Sequence, residues 1–133
     1  MARYVIDAPT LLYIVSDDVV VDPAHQLVAP SVIRSQALLL LLTAVREETI
    51  TEEIALQRHE RFTEIKMRLL SDRVSRRTAW KIARQHGWDS TFEAEYLAVC
   101  KLQADALVTI DPALAAMAAD VVPLAPLSAL TSH

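Results

Sequence analysis

The chain is short of cysteine, of glycine and of long uninterrupted apolar stretches, and each shortage narrows what it can be. One cysteine, Cys100, in 133 residues excludes an intrachain disulfide and gives no sign of a thiol-rich metal site. A reducing cytoplasm is the compartment that suits such usage. The leucine run Ala37–Leu42 is far below the roughly 20 residues a bilayer crossing needs, so it is expected as buried helix and no membrane partner is expected. The opening Met1-Ala2-Arg3-Tyr4-Val5-Ile6-Asp7 has one basic residue and then an acid within its apolar stretch, which is not the pattern of a secretory leader. The one glycine, Gly87, stands where a helix over 73–86 would close.

What is present is an apolar chain. Hydrophobic residues make up 53%, which excludes disorder as a whole-chain description. The length suits one domain, 1–133, with a core large enough to fold without staples. Net charge is −4, yet the charge is unevenly spread. Nine of the 13 Lys and Arg residues lie between Arg58 and Arg84 against three acids there, a local +6, while the remainder carries −10. A basic segment beside an acidic remainder is what a protein needs to hold a phosphate backbone near carboxylates; a solvated helical surface gives the same pattern.

Apolar and β-branched runs predict strands at Arg3–Ile6, Leu27–Ala29, Ala106–Thr109 and Val121–Leu124. Helices are predicted from Pro9 to Ser16, from Val32 to Glu48 behind Ser31, from Thr51 to about Leu70 with Glu64 and Arg68 paired, over Arg73–His86, from Ser90 to about Gln103, and from Pro112 to Ala119. The residues after about 126 are expected to form a peripheral tail. Strands alternating with helices imply an α/β fold, a central parallel sheet of four or five strands flanked by helices. Ligands of such sheets sit beyond the carboxyl ends of the strands, and Asp7 and Asp111 both stand just past predicted strand ends. Acids meeting at one point repel unless a cation neutralises them, and Mg2+ or Mn2+ takes hard oxygen ligands. Asp7 and Asp111 are therefore candidates to share a metal ion, with Glu93 as a third.

Each candidate has a structural rival. Asp7 and Asp111 suit helix caps. Ser90-x-x-Glu93 is a capping-box pattern that would occupy Glu93. Gln36, on an apolar helix, needs a polar partner, whether at a metal site or in an inert internal hydrogen bond. Cys100, Trp80 and Trp88 are expected in the core, although an exposed tryptophan can stack on a base.

Four segments occur in order: Val5-Ile6-Asp7-Ala8-Pro9-Thr10-Leu11-Leu12, Ala29-Pro30-Ser31-Val32-Ile33-Arg34-Ser35-Gln36-Ala37-Leu38, Ser90-Thr91-Phe92-Glu93-Ala94-Glu95-Tyr96-Leu97-Ala98 and Leu107-Val108-Thr109-Ile110-Asp111-Pro112-Ala113-Leu114. Together they resemble the motifs of PIN-domain ribonucleases of VapC type, over nearly the whole chain. That resemblance implies a single PIN-like domain in which four acidic positions surround Mg2+ or Mn2+, here Asp7, Gln36, Glu93 and Asp111. Of these, Asp7, Glu93 and Asp111 would hold the metal, and Thr109 would hydrogen-bond nearby. It further implies an endoribonuclease acting as the toxin of a type II toxin–antitoxin pair, with RNA as substrate, a small antitoxin as partner, and a homodimer. Arg34, Arg73, Arg76 and Arg77 are the candidate phosphate contacts. Gln36 stands where the family has Glu, and Glu93 where it has Asp. An amide adds no negative charge and takes no proton, so a second reading is a weakened or inactive PIN domain that binds RNA or protein without cutting. A haloacid-type hydrolase is disfavoured, because Asp7-Ala8-Pro9 offers no second nearby aspartate.

Overall fold

The structure is a computed structural model that describes residues 2–131. It contains β1 (Arg3–Ile6), α1 (Ala8–Ser16), β2 (Gln26–Pro30), α2 (Ile33–Arg46), α3 (Glu52–Glu64), β3 (Arg68–Leu70), α4 (Arg73–His86), α5 (Phe92–Gln103), β4 (Ala106–Val108), α6 (Pro112–Ala118) and a closing 3-10 turn, Leu127–Thr131. The four strands make one parallel sheet in the order β3-β2-β1-β4, with six α-helices around it. Parallel strands need helical crossovers, which cover both faces, so the strands read as continuous apolar runs. Val5, Ile6, Val28, Leu107 and Val108 are fully buried accordingly. Among the described residues no helix is long and apolar enough to cross a membrane.

Strand register decides which side chains share the sheet edge. Ile6 pairs with Val108 and Val5 with Val28, so the residues just past β1, β2 and β4 emerge along one edge. Pro30 ends β2 beside Leu70 of β3, and Ser31 N–H donates to the Leu70 carbonyl at 3.2 Å.

Several helix ends form as their caps dictate. Thr51 accepts from Ile54 N–H at 3.2 Å, as expected. Asp72 and Ser75 form a reciprocal capping box at the start of α4, and Gly87 closes it with φ 67°, the left-handed conformation expected there. α2 instead begins after Val32 with no side-chain cap, so Ser31 does not serve it.

The expected third helix to Leu70 is corrected. α3 ends at Glu64, Ile65 turns extended (ψ 122°), and the chain pairs as β3. From Ile65 to Leu69, half-buried and exposed residues alternate, which is strand periodicity, and the expected Glu64–Arg68 helical pair therefore has no helix to sit on. The expected strand at Val121–Leu124 reduces to a single bridge, Leu124 with Leu107. Of the expected peripheral tail, residues 132–133 lie outside the described residues, and 127–131 are not peripheral: Leu130 is fully buried, and its carbonyl accepts from Asp22 N–H at 2.8 Å. Trp80 does not fill the core but stands exposed on α4, and Trp88 is half-buried, stacked on His86 at 4.9 Å. Cys100 is buried as expected, and burial with the Asp105 charge pushes its thiol up to about 11.

Candidate functional site

Asp7 follows β1 directly and caps α1. Its side chain is only 3% exposed. One carboxylate oxygen, Oδ1, accepts from Thr10 N–H at 3.3 Å and from the Thr10 hydroxyl; the other, Oδ2, accepts from the Thr109 hydroxyl at 2.8 Å. Both hydroxyls are in turn oriented by the β4–α6 turn. Ile110 N–H donates to Thr10 Oγ1 and Asp111 N–H to Thr109 Oγ1, each at 3.0 Å. The register explains why this network closes: with Ile6 opposite Val108, Asp7 arrives level with Thr109.

Three donors favour the ionised carboxylate, but burial is the larger influence, and it raises the Asp7 pKa above the ordinary aspartate value. No lysine, arginine or histidine among the described residues forms an ion pair with Asp7; the exposed pair Arg61–Asp18 involves neither it nor its neighbours.

Asp111 caps α6, its Oδ1 accepting from Ala113 N–H at 2.9 Å, with Pro112 at the first helical position. It is half-buried, and the Thr109 hydroxyl touches both Asp7 and its backbone. The Thr109 hydroxyl thus links the Asp7 carboxylate to the Asp111 backbone.

Gln36 lies half-buried on α2, and its Oε1 accepts from the Tyr96 hydroxyl of α5. Tyr96 is 4% exposed; burial raises its pKa first, then the charges of Asp7 and Glu95. Sequence reasoning passes over both Tyr96 and Thr10. The signals exist: Asp7-x-x-Thr10 has capping spacing, and a buried tyrosine and a buried glutamine each require a partner.

Glu93 sits half-buried in the first turn of α5. The anticipated capping box does not form. Thr91, not Ser90, precedes the helix, and Ser90 Oγ accepts from Phe92 N–H at 3.1 Å. Among the described residues no three His, Cys, Asp or Glu side chains stand close enough to hold one ion together. The structure therefore brings Asp7 and Asp111 to neighbouring strand ends without gathering Glu93 into a three-carboxylate cluster with them.

Of the arginines, Arg34 is half-buried. Its Nη2 donates to the Ile65 carbonyl at 3.0 Å, joining the start of α2 to the end of α3, and its Nε is buried without a partner. It is a packing element here rather than a free cation. Arg73, Arg76 and Arg77 are exposed on α4, with Arg76 Nη1 donating to the Ser71 carbonyl at 2.8 Å.

No family model and no curated protein matches the chain. Among solved structures it is similar to the crystal structure of PAE2754 from Pyrobaculum aerophilum, with a TM-score of 0.74 and 17% sequence identity over 97% of this chain and 93% of that one, a likeness of fold.

Proposed function

We propose that the chain is a PIN-like, divalent-metal-dependent endoribonuclease with Asp7 and Asp111 as its metal ligands. The observation that carries this reading is Asp7, a buried carboxylate at the carboxyl edge of a parallel sheet, oriented by two threonine hydroxyls and neutralised by no basic side chain among the described residues. A buried charge without a counter-charge is disfavoured, and a cation is what such an arrangement lacks.

The donor set suits Mg2+ or Mn2+, which usually takes one or two carboxylates and keeps several waters. Asp7 Oδ2 accepts one hydrogen bond and Asp111 Oδ1 one, so both carboxylates retain acceptor capacity. When bound, the ion would acidify a coordinated water and offset charge on the phosphate. Thr10 and Thr109 hold the Asp7 carboxylate against rotation. The Gln36 amide, fixed by Tyr96, can orient a water but takes no proton. Glu93, free of its capping alternative, is the further candidate carboxylate on α5, a helix that also carries Glu95. We place the protein in the cytoplasm as the toxin of a toxin–antitoxin pair, blocked by a small antitoxin and paired as a homodimer; RNA is its substrate.

Calorimetric titration with Mn2+ and cleavage of RNA test this reading on wild type and Asp7→Asn. Metal binding and cleavage in wild type, both lost in the variant, are expected; cleavage that survives Asp7→Asn refutes the assignment. A second reading, a PIN-like module that binds without cutting, draws on the absence of a three-carboxylate group among the described residues and on the engagement of Gln36 by Tyr96. Gln36→Glu separates the two: cleavage appearing only in that variant identifies a site that has lost its chemistry.

A further inference from the structure

α4 carries a feature that the metal-site reading leaves unused. Its inner face is made of Ser75, Ala79, Ile82 and Ala83, all buried. Its outer face holds Arg73, Arg76, Arg77, Lys81 and Arg84, all exposed, and the helix has no acidic residue. Among these cations stands Trp80, 61% exposed. Arg73, Arg77, Trp80 and Arg84 are spaced i, i+4, i+7 and i+11, so they fall on one stripe roughly 16 Å long.

We propose that this stripe docks single-stranded RNA, with Trp80 as the platform on which an unpaired base stacks and Arg73, Arg77 and Arg84 as the contacts to the flanking phosphates. The proposal deepens the nuclease reading and takes from it that the ligand is RNA. Charge selects a polyanion: the chain is acidic overall, and this helix is where the field turns positive. The tryptophan selects single strands. A base within a duplex has both faces covered by its neighbours, whereas an unpaired base offers a free face to an aromatic ring. Arginines one turn on either side of the ring suit the phosphates that precede and follow the stacked base.

Position adds direction. Only Ser71 and Asp72 lie between Leu70, the last residue of β3, and the start of α4, and β3 is separated from β1 by β2 alone. The Arg73 end of α4 therefore follows the same carboxyl edge of the sheet that carries Asp7, with β3 and β1 two strand spacings apart, about 10 Å. A strand laid along the stripe from Arg84 toward Arg73 is delivered to that edge.

Binding is measured in chelator, so that loss of metal chemistry cannot be mistaken for loss of docking. The probe is a labelled oligouridine of about ten nucleotides, compared with a fully paired RNA duplex of the same length. Fluorescence anisotropy on the full chain is expected to show preference for the single strand. Trp80→Ala should weaken binding about tenfold and Trp80→Phe should recover most of it, because stacking needs a ring. Arg77→Ala and Arg84→Ala should each lower the salt dependence by about one phosphate contact. In a Trp88→Phe background, the remaining emission from Trp80 should be quenched by the oligouridine. Circular dichroism on each variant checks folding, and all the changed side chains of the stripe are exposed. Unchanged affinity in Trp80→Ala, equal binding of duplex, or unquenched Trp80 emission overturns the proposal. So does absence of binding accompanied by Trp80→Ala converting an oligomer to a monomer, which would make the stripe a contact between copies of the chain.

Discussion

Thr10 is the residue whose replacement tests the Asp7 network most sharply. It is fully buried; its hydroxyl donates to Asp7 Oδ1 and accepts from Ile110 N–H. Thr10→Val keeps the branched shape and removes only this polar link. A hydrogen bond to a charged group contributes about 1.5–3 kcal/mol, and an orphaned amide adds a penalty of roughly 1–3 kcal/mol where it is out of reach of water. Ile110 is exposed enough for solvent to relieve part of that, so the expected loss is about 3 kcal/mol. Against a typical total of about 5–15 kcal/mol this is large. Thr10→Ser keeps the hydroxyl and loses a methyl, for about 1 kcal/mol. The loss should also depend on pH. Thr10 favours the ionised form of Asp7, so removing it raises further a folded-state pKa that burial has already raised. The variant's deficit is then smallest in acid, where Asp7 is protonated, and grows as pH rises through the folded-state value. Urea unfolding followed by circular dichroism, at neutral pH and in mild acid, measures both. A neutral-pH deficit no larger than that of Thr10→Ser, or one that is the same in acid, would show that the hydroxyl does not support an ionised Asp7.

Asp7→Asn should change the pH dependence of stability. The raised folded-state pKa gives wild type a contribution that is fully present below the ordinary aspartate value, about 3.9, and lost as pH rises through the raised one, with a slope of up to about 1.4 kcal/mol per pH unit. The Tm of the variant relative to wild type should therefore climb across that window, and a constant difference would refute it. Cys100, buried with its thiol pushed up to about 11, should resist iodoacetamide at pH 8 in the native protein and react fully in urea; stoichiometric labelling without denaturant would contradict its burial. Leu130→Ala should destabilise the chain by about 3 kcal/mol in chemical denaturation, since Leu130 is a fully buried core residue; a loss near zero would restore the peripheral tail.

Sequence and structure agree where local chemistry decides. α4 is legible end to end because its boundaries are set by its own residues, and Gly87 takes the positive φ that ends it. Asp7 and Asp111 are legible because each follows a short apolar run and precedes a proline-started helix. The failures lie where partners are distant. β3 has three residues and exists only through pairing with β2, so a helix extended over it looks continuous in sequence. Leu124 keeps one bridge because Pro123 has no N–H to offer the ladder. Gln36 and Tyr96 are 60 positions apart, and neither residue names the other. The capping box at Ser90 fails by a one-residue shift of the start of α5, and that shift decides whether Glu93 is engaged.

Asp7 and Asp111 each do double duty, as candidate ligands and as the caps that start α1 and α6. Selection for folding alone would preserve both, whether or not either holds a metal ion. Glu93 and Gln36 start no helix, so drift there is less restrained by stability. A lineage losing its chemistry would therefore shed acids first on α2 and α5, while the two strand-end aspartates persisted as relics held in place by architecture. On the nuclease reading proposed above, the amide at Gln36 is the kind of change such a history would leave, and Gln36→Glu asks which side of that transition the protein stands on.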